Sequence, residues 1–190
     1  RYIRNLIGQL QRLDQNNEYY ILHLKSEYDH LNYSRNFHKI LANFGWYGVG
    51  EQIKLPKLLQ TLQPDLVHFT HFNVPIFYPG KFVVTIHDLI HQHFVSGEVT
   101  TRNPLIFKIK KLGYERAFST AIKKSRKILT PSKFVSDQLK NEWNVDQSKI
   151  IITPEAVDDK IFSIGKKMNK LKSDKVLKKF NIKSPFVFYV

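Results

Sequence analysis

The chain has 190 residues, 42% of them hydrophobic and 13% aromatic, which is enough apolar material for one folded domain with its own core. It has no cysteine, which excludes disulfides and thiolate metal sites, and no apolar run approaching the roughly 20 residues that a membrane-spanning helix needs. Against 16 Asp and Glu stand 30 Lys and Arg, a net charge of +14 that favours anionic partners: phosphate-bearing substrates, nucleic acid or an acidic membrane leaflet.

Ile3, Leu6, Ile7, Leu10 and Leu13 recur at helical spacing, so residues 1–13 are predicted as an amphipathic helix, without the continuous apolar core of a signal peptide. With no initiator Met, the chain is expected to begin inside that helix as a fragment of a longer one. Residues 14–18 form a polar turn and 19–24 an aromatic, apolar strand; 29–44 fits neither period. A loop over 45–50 carries Trp46 and Tyr47. Residues 51–62 are predicted as a helix with Ile53, Leu55, Leu58, Leu59 and Leu62 inward, closed by Pro64. Strands are predicted over 66–69 and 82–86, separated by a loop with Asn73, Pro75, Pro79 and Gly80. Asn103 and Pro104 open a helix that runs to about Lys124, Asn as cap and Pro in the first turn. A strand over 127–130 follows, then a helix capped by Ser132 and ending near Trp143, then a strand over 150–153. Lysine dominates 158–183, and 186–190 starts a new apolar strand.

Short, nearly continuous apolar strands separated by helices indicate a parallel sheet covered on both faces, that is, a doubly wound Rossmann-like α/β domain. Such sheets bind ligands at the carboxyl ends of their strands. Those ends carry Thr70-His71-Phe72-Asn73, His87-Asp88, Pro131-Ser132-Lys133 and Pro154-Glu155-Ala156-Val157-Asp158. Imidazoles, amides and hydroxyls suit sugar hydroxyls, and an aspartate beside a histidine can set its tautomer and pKa.

These blocks resemble the N-terminal domain of the retaining GT-B glycosyltransferases of family 4, mannosyltransferase-like members among them. The residues that match are 65–75 (DLVHFTHFNVP), 82–89 (FVVTIHDL), 128–134 (ILTPSKF) and 149–158 (KIIITPEAVD), in family order and spacing. The strand delivering Thr85-Ile86-His87-Asp88 is the most specific of them. The resemblance implies one half of a two-domain enzyme. Residues 1–158 would be its acceptor-side domain, 159–184 a Lys-rich interdomain linker and 185–190 the first strand of the donor-binding domain.

It further implies hexosyl transfer from a nucleotide sugar to a glycan or lipid-linked acceptor with retention of configuration, as in polysaccharide biosynthesis. Metal and other cofactors are not expected. Localisation would be cytoplasmic, peripheral on the inner membrane face, and the domain alone would be inactive. His87 would be catalytic, with His71, Asn73, Asp88, Trp46 and Tyr47 toward the acceptor and Arg1, Ser132 and Glu155 toward the donor. Arg1-Tyr2 would end a glycine-rich phosphate-facing turn whose glycines, with the first strand of the sheet, lie upstream. Where family members read Asn-Gly-Val-Asp, this chain has Glu155-Ala156-Val157-Asp158, and the lost glycine removes easy access to positive φ.

Other readings of the same residues stay open. His87 could be a strand-end residue that only packs, and His71 and Asn73 could merely fix their loop; Trp46 and Tyr47 could clamp theirs. Five histidines between His68 and His93 raise the question of a metal, but His68 is expected in the sheet packing, and His91 and His93 have no local carboxylate. Between Pro104 and Lys127, Lys108, Lys110, Lys111, Arg116, Lys123, Lys124, Arg126 and Lys127 face a single acid, Glu115. With Ile106, Ile109, Leu112, Ala117 and Ala121 they could form a basic face on an anionic membrane, or an ordinary solvated face over a core helix. The alternatives in function are a non-catalytic sugar-binding remnant and a basic nucleic-acid-binding module; for the latter no motif is present and the charge is dispersed.

Overall fold

A computed structural model describes residues 2–29, 31–45, 48–90, 104–157, 159–166, 170–183 and 185–187. The chain divides into two compact units, residues 1–154 and 155–190.

In the first unit α1 (Tyr2–Leu13) leads to β1 (Tyr19–His23), the short α2 (Lys25–Tyr28) and β2 (Phe37–Leu41). Then come α3 (Val49–Leu62), β3 (Val67–Phe69) and β4 (Phe82–Thr85), followed by α4 (Pro104–Lys124), β5 (Ile128–Thr130), α5 (Lys133–Trp143) and β6 (Ile150–Ile152). Each strand predicted over 19–24, 66–69, 82–86, 127–130 and 150–153 is shorter by one residue at one end. Residues 29–44, which fitted neither period, supply β2. Helix α3 starts two residues before the predicted Glu51, with Gly48 as its cap.

Among the described residues all pairings are parallel, so the α/β, Rossmann-like expectation holds, but the strands form two sheets rather than one: β1–β2, and β3-β4-β5-β6. The larger sheet carries the core. Phe82, Val84, Ile86 and Ile128 are essentially fully buried, as are Phe118 of α4 and Leu139 of α5. Phe118 packs edge-on against Phe72 and Trp143, with ring centroids 5.6 and 4.7 Å apart. Leu55 and Leu59 of α3 join this cluster, whereas Ile53, predicted inward, is exposed. Two residues before Leu55 on a 3.6-residue turn lies the far side of the helix, so both cannot face the sheet. Ala117 and Ala121 of α4 are core residues and Leu112 is exposed, so the apolar set proposed for a membrane face does not share one surface. The side chains of Ile106, Ile109 and Lys110 lie outside the described residues.

The smaller sheet is held differently. The Asp14 carboxylate accepts hydrogen bonds from the Tyr19 hydroxyl (2.6 Å), the Asn17 side chain (2.6 Å) and the backbone N–H of Asn16 and Asn17 (2.9 and 3.2 Å). These bonds, that from Tyr19 foremost, hold its pKa well below the ordinary carboxylate range. Buried Asn36 donates to the carbonyls of Asp14 (3.1 Å) and Asn17 (2.8 Å), tying the turn before β1 to β2.

In the second unit the lysine-rich stretch forms α6 (Asp159–Lys166) and α7 (Lys170–Lys179). Phe186 and Val187, the described part of the strand predicted over 186–190, lie in no strand. Among the described residues, left-handed backbone occurs at Gln63, Asn144 and Asn181 and not at Glu155 or Ala156. No helix among them is long and apolar enough to cross a membrane.

Candidate functional site

Parallel register brings the carboxyl ends of β3, β4, β5 and β6 to one rim. His87 stands at the end of β4, half-buried, with Nε2 3.3 Å from the carbonyl oxygen of Thr70 at the end of β3. A carbonyl only accepts, so this bond puts the ring proton on Nε2 and, in the neutral ring, the lone pair on Nδ1. The rings of Tyr2, in the first turn of α1, and His87 meet in a T-shaped arrangement with centroids 4.8 Å apart. The Tyr2 hydroxyl lies 3.3 Å from Thr85 Oγ1, and His68 Nε2 lies 2.8 Å from the same oxygen. Burial, with His87 nearby adding to it, lowers the pKa of His68 below its ordinary 6.5, so this ring is neutral at pH 7. Two strand ends and a helix start therefore hold one imidazole in a set orientation.

A second cluster lies in the loop after β3. His71 Nδ1 accepts the Asn73 backbone N–H at 3.3 Å, and its ring leans on buried Phe72 with centroids 4.0 Å apart. Asn73 Nδ2 donates to Glu51 Oε2 in the first turn of α3 at 2.8 Å. Glu51, His68, Thr70, His71 and Asn73 line one cavity of about 950 Å³, and His87 is not among its lining residues. Imidazole, amide, carboxylate and carbonyl groups gathered at strand ends can hydrogen-bond a polyhydroxylated ligand.

The family model described as Glycosyltransferase Family 4 matches residues 1–160. The chain belongs to glycosyltransferase family 4. Among solved structures it is similar to a glycosyltransferase from Rickettsia africae ESF-5, at 14% identity and a TM-score of 0.46, over 90% of this chain and 51% of that one. The chain thus spans about half the length of that structure. No curated protein matches.

In this family 4 domain the other sequence-predicted residues have the following places. Exposed Asp88 accepts the Ile90 N–H at 3.0 Å through Oδ1, which turns the chain at the end of β4. Ser132 caps α5, its Oγ accepting the Val135 N–H at 3.3 Å, and fixes the turn after β5. Glu155 is the first residue of the second unit and is exposed. Arg1, Trp46 and Tyr47 lie outside the described residues, as do His91 and His93. Among the described residues no group of three or more His, Cys, Asp or Glu is arranged to hold a metal ion.

Sequence reasoning placed Tyr2 only at the end of a phosphate-facing turn and Thr85 only in the matching strand, and gave Glu51 no part in the site. A polar residue opening a helix, such as Glu51 just after Gly48-Val49-Gly50, is a readable signal for a group at a rim. The partnership of Tyr2 with Thr85, 83 residues apart, leaves no local trace.

Proposed function

We propose that this chain is the acceptor-side domain of a glycosyltransferase that moves a hexosyl group, with retention of configuration, from a nucleotide sugar to a glycan or lipid-linked acceptor. The observation that carries the reading is the family 4 match over 1–160, joined to an oriented imidazole at the ligand-binding rim of its sheet. In this reading Nδ1 of His87 accepts a hydrogen bond from a sugar hydroxyl, while the Thr70 carbonyl and the Tyr2 ring keep the imidazole from turning. A hydroxyl oxygen of the acceptor bonds to the anomeric carbon of the donor sugar as the bond from that carbon to the donor phosphate breaks, and the hydroxyl proton passes to the departing phosphate. No protein base is then needed, and catalysis rests on positioning and on stabilising charge. His71 and Asn73, with Asn73 tethered to Glu51, would face the acceptor. Donor contacts from Arg1, Ser132 and Glu155, action without a metal cofactor, and work at the cytoplasmic face of a membrane belong to the same proposal. So does inactivity of the domain by itself.

The test is nucleotide release by the complete protein across a panel of nucleotide sugars. His87→Ala is expected to lower turnover by about 100-fold or more while the far- and near-ultraviolet dichroism stay unchanged. Unchanged turnover removes His87 from the site.

A further inference from the structure

The amino ends of β4 and β5, on the rim opposite His87, border a second cavity, of about 480 Å³. Lys81 just before β4, Lys124 at the end of α4 and Arg126 just before β5 line it, and no Asp or Glu is among its described lining residues. Backbone bonds fix two of these positions. The Lys81 carbonyl accepts the Val67 N–H at 3.0 Å, and the Arg126 N–H donates to the Phe82 carbonyl at 2.7 Å. Three cations therefore share one concavity with no carboxylate between them.

Cations gather where helices end, because the last carbonyls carry partial negative charge. Here that task falls largely to other side chains. Lys149 Nζ donates to the carbonyls of Ile122 and Lys123 in the last turn of α4 at 2.8 and 3.0 Å, and Lys127 Nζ to that of Ser148 at 2.7 Å. Lys124 Nζ donates to the Ile76 carbonyl at 3.0 Å, which holds the ammonium in place and leaves two of its three protons. Among the described residues the side chains of Lys81 and Arg126 make no hydrogen bond or ion pair.

A second, independent sign of a ligand comes from Tyr78, which also lines the cavity. This residue is 5% exposed, its ring set against Phe69 and Phe82. Its hydroxyl has no hydrogen-bond partner among the described residues, yet protein does not seal it off. The hydroxyl lies against Gly80, another lining residue, where a Cβ would collide with the hydroxyl and the ring. Such a group is satisfied only by what enters the cavity. Burial raises its pKa above the ordinary 10, so at pH 7 it is a donor. Three cations and a neutral donor suit an anion with several acceptor oxygens. One phosphate ester carries about −1.5 to −2 at pH 7, so two linked phosphates balance three cations and one does not. The volume falls within the roughly 300–1,000 Å³ of small-ligand sites and exceeds what a single phosphate fills.

We propose that this cavity at the amino rim is an anion site for a soluble ligand bearing a diphosphate group. Lys81, Lys124 and Arg126 take the phosphate oxygens, and the Tyr78 hydroxyl donates to one of them. The site stands apart from His87 and does not rest on the role given to that residue.

The test titrates inorganic pyrophosphate into the isotope-labelled chain at about 0.15 M ionic strength, where the field of distant charges is screened, and follows the amide resonances. Saturable shifts are expected at residues 78–82 and 124–126. Lys81→Gln and Arg126→Gln, both at exposed positions, are each expected to weaken binding by about tenfold or more, and Tyr78→Phe by about threefold. Lys54→Gln removes the same charge from an exposed position of α3 outside the cavity and is expected to weaken binding less than about twofold. Equal weakening by Lys54→Gln, or shifts that never saturate, would show a diffuse basic field and overturn the proposal. Shifts confined to residues 70–73 and 87–88 would overturn it too, since pyrophosphate would then occupy the other rim. Binding of the chain to vesicles of phosphatidic acid that pyrophosphate does not compete away would give the cavity to a lipid headgroup and overturn the soluble ligand.

Discussion

The two sheets of the first unit are both parallel, yet they are stabilised in different ways. The β3–β6 sheet rests on Phe82, Val84, Ile86 and Ile128 packed against Phe118 and Leu139, all essentially inaccessible to water. The β1–β2 sheet has few buried side chains, Phe37, His23 and Ala42 in or beside it, and depends on the hydrogen bonds of Asp14 and Asn36 at one end. Strand pairing alone therefore does not make a core: what covers the faces and edges decides how far local opening costs as much as global unfolding. The candidate site lies on the well-packed side, where His87 and Thr70 follow core strands, and Tyr2 reaches it from the less covered α1.

The contrast can be broken most severely at Phe118. Phe118→Ala removes a ring that touches Phe72 and Trp143 and is expected to cost about 3–5 kcal/mol, unfolding both sheets together in a denaturant titration. If β1–β2 survived that loss, the two sheets would be independent. Asn36→Ala leaves the Asp14 and Asn17 carbonyls without their donor and is expected to cost about 1–3 kcal/mol. Amide exchange should show that loss over β1 and β2 while β4 and β5 keep their protection.

A smaller effect distinguishes the sheets by pH. His23 in β1 bonds the Tyr33 hydroxyl at 2.9 Å, and its pKa is lowered from 6.5, by burial first, with Lys39 adding and Glu27 opposing. The folded chain thus binds this proton less readily than the unfolded one. The stability His23 contributes is whole above about pH 6.5 and falls as acid drives the pH toward the depressed folded value. His23→Gln should flatten that limb for β1–β2, while His68, lowered in the same direction, keeps it for β3. An unaltered limb for β1–β2 would mean that another group sets it. The smallest change is expected at Gln63, which holds left-handed backbone at φ 48 after α3. Gln63→Gly relieves that conformation and should stabilise the chain by about 1 kcal/mol, read as a higher thermal midpoint.

The amino-acid sequence by itself determined most strands and helices of residues 1–154, because hydrophobic period, capping by Ser132 and turns at Pro and Gly act within a few residues. It also determined which side chains stand at the rim, since His87, Asp88 and Ser132 follow directly on apolar strands and in a parallel sheet such positions share one edge. Within residues 29–44 the polar and apolar residues follow no clean alternation, and β2 forms there because its partner β1 supplies the missing hydrogen bonds. Only the tertiary structure decided that α3 turns Ile53 outward, that Glu51 holds Asn73 across 22 residues and that Tyr2 braces His87. It alone divided the strands into two sheets and set β1 and β3 along one cavity. The physical reason is that pairing partners, edges and cavities come from contacts between residues far apart in the chain, for which neither local propensity nor hydrophobic period carries a signal.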